Sequence, residues 1–201
     1  MNTNINMIDS DWRSNILLIS IDSLRGDAVS LSTSGKQTTP FIRRLIDDAK
    51  LFTNCFTHGI WTVPSHTSIF TGSYPTEHRL FDEDKISSGA ASLGDIQTIF
   101  ETLESSGYRT NAFYRLGWLS SGGILNGAET NRQQADDNSG SRILSKLTDG
   151  LRYFPRVKSF MRGIYRGSFC GHMADEPLIH NCANFINKDS NEPFFAFLHL
   201  N

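Results

Sequence analysis

The sequence predicts an α/β fold in which a mostly parallel sheet is flanked by helices, and three observations predict it. An almost unbroken apolar run, Ile16 to Ile21, closes on Asp22, and a second run from Phe194 to Leu200 follows Pro193 near the other end. Runs of that length and composition are strands buried on both faces, as parallel sheets require. Between them, apolar residues recur at helical spacing, first at Phe41, Ile42, Leu45, Ile46 and Ala49, and again at Leu93, Ile96, Ile99, Phe100 and Leu103. Strands alternating with amphipathic helices give a parallel sheet with helical cover.

Residues 1–14 form an N-terminal extension, and the domain runs from 15 to 201. Asn15 to Asp22 is expected to be the central strand. After a Ser, Thr and Gly-rich loop, Thr39 is placed to cap a helix with Pro40 at its first position, ending near Lys50. Leu51 to Phe56 is expected to be a short strand. A helix then starts near Pro64, with Thr62 immediately before it. Leu93 to Ser106 reads as the next helix, ended by Gly107 in the left-handed conformation, and Arg109 to Tyr114 as the next strand. Residues 126–141 are polar and read as an exposed loop. Asp175 can cap a last helix carrying Leu178, Ile179, Ala183 and Ile186, and Pro193 to Leu200 is the closing strand. One residue later the sequence stops, whereas open α/β folds carry ligand groups in loops beyond strand ends, so an incomplete domain is expected.

With 201 residues, 38% hydrophobic content and a formal net charge of -2, the chain supports one sizeable core and gives no overall reason to expect nucleic acid. The residues 142–166 are the exception: Arg142, Lys146, Arg152, Arg156, Lys158, Arg162 and Arg166 stand against Asp149 alone, interleaved with aromatics. Contact with an anionic surface, a lid over the site, and a solvated insertion packing its apolar side inward all fit this pattern. No basic region followed by an apolar run opens the sequence, so a cytoplasmic protein is expected. Cys55, Cys170 and Cys182 are odd in number and lack metal-ligand spacing, and they read as buried or incidental thiols.

Two segments carry candidate chemistry. Asp22 follows a strand directly and so sits at the carboxyl edge of the sheet, where it can ligate a divalent metal or cap the following turn. Asp27 reads as a turn or salt-bridge residue. Thr62 can be a helix cap or a hydroxyl nucleophile. The helix after it directs free N–H groups and a positive dipole end toward its position, which suits a tetrahedral oxyanion. Ser65 and His66, in the first turn, can donate to such an anion, Ser65 as a substrate-binding residue and His66 as a catalytic one; the alternatives are that Ser65 supports the helix start and that His66 is a surface residue.

In order along the chain, Asn15 to Arg25, Thr39-Pro-Phe-Ile, Phe52-Thr-Asn-Cys-Phe, Trp61 to Pro75, His78, Gly107-Tyr-Arg-Thr110, Trp118-Leu-Ser and Pro193 to Leu200 resemble the N-terminal half of the sulfatase family, within the alkaline phosphatase superfamily. The resemblance implies a sulfatase-like α/β domain that hydrolyses sulfate or phosphate esters of small molecules, glycans or lipids. It implies a divalent metal, Ca²⁺ or, in a phosphatase-like site, Zn²⁺ or Mn²⁺, with Asp22 as first metal-binding Asp and Thr62 at the nucleophile position.

The departures from the family pattern bear on the chemistry. Ser23 stands where many sulfatases have a second metal-binding Asp, and His66 stands where the C/S-x-P-S-R motif has Arg. Sulfatases oxidise a Cys or Ser at the position of Thr62 to formylglycine, an aldehyde. Thr is a secondary alcohol and cannot yield an aldehyde, so no formylglycine is expected. Three readings follow: a sulfatase-family hydrolase with Thr62 as nucleophile, in which a Thr-nucleophile phosphodiesterase or phosphotransferase is the variant; a catalytically silent remnant; and a carrier of the basic segment.

Overall fold

The computed structural model describes residues 13–29, 38–132 and 175–201. Four strands, β1 (Ile16–Ile21), β2 (Arg109–Tyr114), β3 (Glu129–Arg132) and β4 (Phe194–Leu200), form one sheet in the order β1-β4-β2-β3, and every pairing is parallel. The helices are α1 (Pro40–Ile46), α2 (Thr62–Thr71), α3 (Pro75–His78), α4 (Glu83–Ser87), α5 (Ile99–Ser105) and α6 (Glu176–Ile186).

Alternation along the strands sends side chains to two cores. Phe195 and Phe197 of β4, with Ala112 and Tyr114 of β2, meet Val63 and Phe70 of α2 and Phe100 of α5. Phe194, Ala196, Leu198 and Leu200, with Phe113, meet Leu178, Ile179, Cys182, Ala183 and Ile186 of α6. The period of two then places His199 on the α2 face with Phe195 and Phe197. In β1 the same period puts Ser20 with Ile16 and Leu18, which pack against the α2 core.

Several sequence expectations are corrected. Among the described residues the strands flanked on both sides are β4 and β2, not β1; the central strand β4 is buried at all seven residues, while β1, with a ladder partner on one side, is half-buried throughout. Leu51 to Phe56 forms no strand; among the described residues no neighbouring strand pairs with it, and Phe52 and Phe56 are 76% and 81% exposed. Part of the expected polar loop is the edge strand β3, held by its backbone ladder to β2 rather than by apolar pattern. Thr39 precedes α1 as expected, but the helix closes at Ile46.

The helix expected from Leu93 starts only at Ile99. Its start is fixed by a capping box: the Thr98 hydroxyl accepts from Glu101 N–H at 3.2 Å, and the Glu101 carboxylate accepts from Thr98 N–H at 2.8 Å. Leu93 and Ile96 still pack on the core from the preceding turn. Gly107 has φ +81° and ends this unit as predicted. Cys182 is buried in α6, Cys55 is exposed, and Cys170 and the basic segment 142–166 lie outside the described residues. Among the described residues no helix is long and apolar enough to cross a membrane.

Candidate functional site

The carboxyl ends of β1 and β4 lie side by side. Their register pairs Ser20 with His199 and Ile21 with Leu200, and Asp22 N–H continues the ladder by donating to Leu200 O at 2.8 Å. Asp22 is thereby fixed at the sheet edge with a side chain 31% exposed. Its carboxylate accepts from the Ser23 hydroxyl at 3.0 Å, and Ser23 has φ +57°, a strained conformation for a residue with a side chain. Asp27 takes the salt-bridge role expected of it, accepting from Arg25 Nε at 2.8 Å.

Helix α2 delivers the other half. Its N-cap is Trp61 rather than Thr62, and Thr62 occupies the first helical position, so the capping role considered for the Thr62 side chain is not used. Pro64 follows inside the first turn, where its missing N–H has no helical partner to lose. The loop before the helix approaches very closely. Thr57 Oγ1 lies 2.7 Å from Ser65 Oγ, and a Cβ added at Gly59 would fall 2.5 Å from Ser65 N. Gly59→Ala is therefore expected to destabilise the fold by about 1–3 kcal/mol, because the obstructing atoms belong to the helix backbone. Urea unfolding of the variant measures this, and an unchanged midpoint would contradict the contact.

His66 joins the two halves. Its Nδ1 lies 2.8 Å from Thr62 O and its Nε2 lies 2.9 Å from Ser20 Oγ, with the residue 6% exposed. Its ring centroid is 5.1 Å from that of His199, whose Nε2 is 3.9 Å from Asp22 Oδ2, beyond hydrogen-bonding distance. Thr62, His66 and Asp22 are thus brought to one edge, while the Ser65 hydroxyl is engaged by the Thr57 loop. His199 is fully buried, and neither ring nitrogen has a hydrogen-bond partner among the described residues. Beyond it, Asp175 accepts from Asn201 N–H at 2.7 Å and lies 3.8 Å from Arg115, tying the ends of β4 and β2 to the start of α6.

Neither His199 nor Ser20 is among the candidate residues read from the sequence. The available signal was positional: each is a polar residue near the carboxyl end of an otherwise apolar strand.

Asp22 has the hard oxygen chemistry that a divalent cation takes, and its exposure at the sheet edge fits one ligand position. Among the described residues, however, no group of three His, Cys, Asp or Glu side chains could hold an ion, so these residues alone do not complete a metal site.

Burial depresses all three inner histidines. The His66 pKa is lowered chiefly by burial, against the opposing pull of its bond to Thr62 and the Asp22 charge. His78, which accepts from Leu80 N–H and bonds Ser68, is lowered by burial as well. Burial, and then neighbouring His66, pushes His199 down to about 4. Each group binds a proton more readily in the unfolded chain, so its stabilising share is whole above about pH 6.5 and is lost as pH falls. The His199 share continues to drain until about pH 4. Urea midpoints should fall between about pH 7 and about pH 5, and a flat profile would contradict burial of neutral rings.

Comparison with known proteins bears on the family and the fold. A sequence model of the sulfatase family matches residues 14–201. Among solved structures, the phosphonate monoester hydrolase of Agrobacterium radiobacter aligns with TM-score 0.58 at 20% identity, covering 94% of this chain and 40% of that one. The 2-O GAG sulfatase BT1596 aligns with TM-score 0.64 at 17% identity, covering 94% and 35%. BT4656, solved in complex with its substrate D-glucosamine-2-N,6-O-disulfate, aligns with TM-score 0.52 at 19% identity, covering 94% and 34%. At these identities the likeness is one of fold, and the chain spans 34% to 40% of the length of these structures. No curated protein matches the chain. The match over nearly its whole length shows that the chain belongs to the sulfatase family.

Proposed function

We propose that the chain carries the nucleophile half of an ester hydrolase acting on sulfate or phosphate esters, with Thr62 as nucleophile and a preference for phosphate or phosphonate esters. The observation that carries the reading is the juxtaposition of the α2 start with the ends of β1 and β4, through His66, Ser20, His199 and Asp22. The first-turn N–H groups of α2 suit the non-bridging oxygens of a tetrahedral ester. Asp22 is proposed as one ligand of a divalent cation whose other ligands come from residues outside the described set. When bound, such a cation supplies positive charge that stabilises an ionised hydroxyl and the charge developing on the ester.

In the proposed reaction the Thr62 Oγ forms a bond to phosphorus while the bond from phosphorus to the leaving oxygen breaks. The hydroxyl proton passes to solvent, and the departing alkoxide takes a proton from solvent. Water then cleaves the Thr62 ester at phosphorus, restoring the hydroxyl and releasing phosphate from a phosphate monoester or phosphonate from a phosphonate monoester. The preference for phosphorus follows from the side chain. Thr62 is a secondary alcohol that cannot become the aldehyde by which sulfatases release sulfate. The phosphonate substrate in the name of one structural neighbour is consistent with this chemistry, and the disulfated glucosamine of another leaves sulfate esters in the test.

The protein carrying this chain, supplied with Mn²⁺, Zn²⁺ or Ca²⁺, should be assayed with 4-nitrophenyl phosphate, a 4-nitrophenyl phosphonate monoester and 4-nitrophenyl sulfate. The expected result is hydrolysis of a phosphorus ester at least ~100-fold faster than of the sulfate. Sulfate turnover equal to phosphate turnover would reject the preference, and hydrolysis of none of them would reject the reading.

A further inference from the structure

We propose that Ser20, His66 and the Thr62 carbonyl form a clamp that positions Thr62 at the sheet edge, with His66 acting through Thr62 rather than on the ester. The proposal deepens the hydrolase reading and rests on it for its catalytic consequence, but its geometry stands on the structure.

The hydrogen-bond chemistry of the clamp has one solution. Thr62 O is a carbonyl and can only accept, so the Nδ1 atom 2.8 Å away carries the hydrogen and donates to it. In a neutral ring Nε2 is then bare, so the Ser20 hydroxyl 2.9 Å away donates to Nε2. Surroundings favour the neutral ring: the residue is 6% exposed, and its ring packs 5.8 Å from those of Phe70 and Phe197. Both ring nitrogens are consequently occupied, and His66 can donate to a bound ester only by abandoning one of these part-buried bonds.

The clamp links three places. Ser20 lies in β1 two residues before Asp22, His66 lies one helical turn after Thr62, and the carbonyl belongs to Thr62 itself. It therefore locks the first turn of α2 to the end of β1, and it engages the Thr62 backbone while leaving the Thr62 hydroxyl to react. Displacement of a nucleophile by about 1 Å is enough to cost on the order of 100-fold in rate, so a tether of this kind has catalytic weight without touching substrate.

Two readouts test the geometry without activity, and a third tests its consequence. Imidazole ¹⁵N shifts of labelled protein near pH 7.5 should report His66 as the Nδ1–H tautomer, the less common form of the free ring. In Ser20→Ala, amide exchange at Ser65 and His66, the first hydrogen-bonded amides of α2, should rise about tenfold while that at 68–71 stays within about twofold. In the active protein Ser20→Ala and His66→Asn should lower kcat about tenfold with KM within about twofold. Because the carboxamide introduced by His66→Asn retains a donor near the Nδ1 position, His66→Leu should lose more than His66→Asn. A His66 protonated at Nε2, unchanged exchange in Ser20→Ala, or raised exchange with kcat untouched would each overturn the clamp. If the native protein hydrolyses no ester, the hydrolase reading falls, and tautomer and exchange still decide the clamp.

Discussion

Thr62→Ala is expected to abolish ester hydrolysis, by at least ~1,000-fold in kcat, with little change in stability. The separation of the two effects follows from position. Trp61 is the N-cap of α2, so removing the Thr62 hydroxyl removes no cap, and the clamp engages the Thr62 backbone carbonyl rather than its side chain. Thr62 is half-buried, and a change there without such a role should shift stability by no more than about 1 kcal/mol. Thr62→Ser keeps a hydroxyl in the same place and should keep measurable turnover of a phosphorus ester. Steady-state kinetics with thermal unfolding of the three proteins checks both statements. Full activity in Thr62→Ala would remove the nucleophile assignment, and a large loss of stability would show that the side chain holds the helix start.

Phe197→Ala should be the most damaging core substitution, costing about 3–5 kcal/mol out of the ~5–15 kcal/mol that holds a typical domain together. Phe197 is fully buried on the central strand, with its ring 4.8 Å from Phe70, 6.5 Å from Phe100 and 5.8 Å from His66. Phe197 is held between the sheet and α2, so the space closes only in part, and the cavity term adds to the lost transfer energy. Phe197 also packs against the His66 and His199 rings, at 5.8 and 6.3 Å, so the same change should loosen the active edge. Phe197→Leu fills most of the space and should cost about 1–2 kcal/mol. Urea unfolding measures the series. A cost below about 1 kcal/mol for the alanine variant would mean that α2 is not packed on β4 as described.

What could be read from the sequence followed physical strength of signal. Strands β2 and β4 and helix α6 lay where apolar periodicity put them, because each buries a whole face against the rest of the domain. Edge elements escaped. Strand β3 carries Glu, Thr, Asn and Arg and is specified by backbone pairing, which leaves no apolar pattern. Leu51 to Phe56 had a strand-like pattern but no neighbour to pair with among the described residues. The start of α5 was misplaced because Leu93 and Ile96 contact the core from a turn, mimicking a helical stripe, while the true signal was the Thr98 and Glu101 box.

At the site, the positions of Asp22 after a strand and of Thr62 and His66 in the first turn of a helix were legible from the pattern around them. The bonds that join them were not. That His66 meets Ser20, and that His199 lies beside Asp22, depends on the register that sets Ser20 opposite His199 across β1 and β4. Register is a property of two segments far apart in the chain, and no local pattern in either one encodes it.

The central claim, that Thr62 is the group that attacks the ester, is tested most directly by trapping the covalent intermediate. The protein carrying this chain is mixed with a phosphorus ester bearing a good leaving group, quenched in acid within the first turnover, digested and analysed by mass spectrometry. A gain of one phosphoryl or phosphonyl group on the peptide containing Thr62, absent from Thr62→Ala, is the result expected. Turnover that proceeds with no adduct at Thr62 and persists in Thr62→Ala would contradict the account.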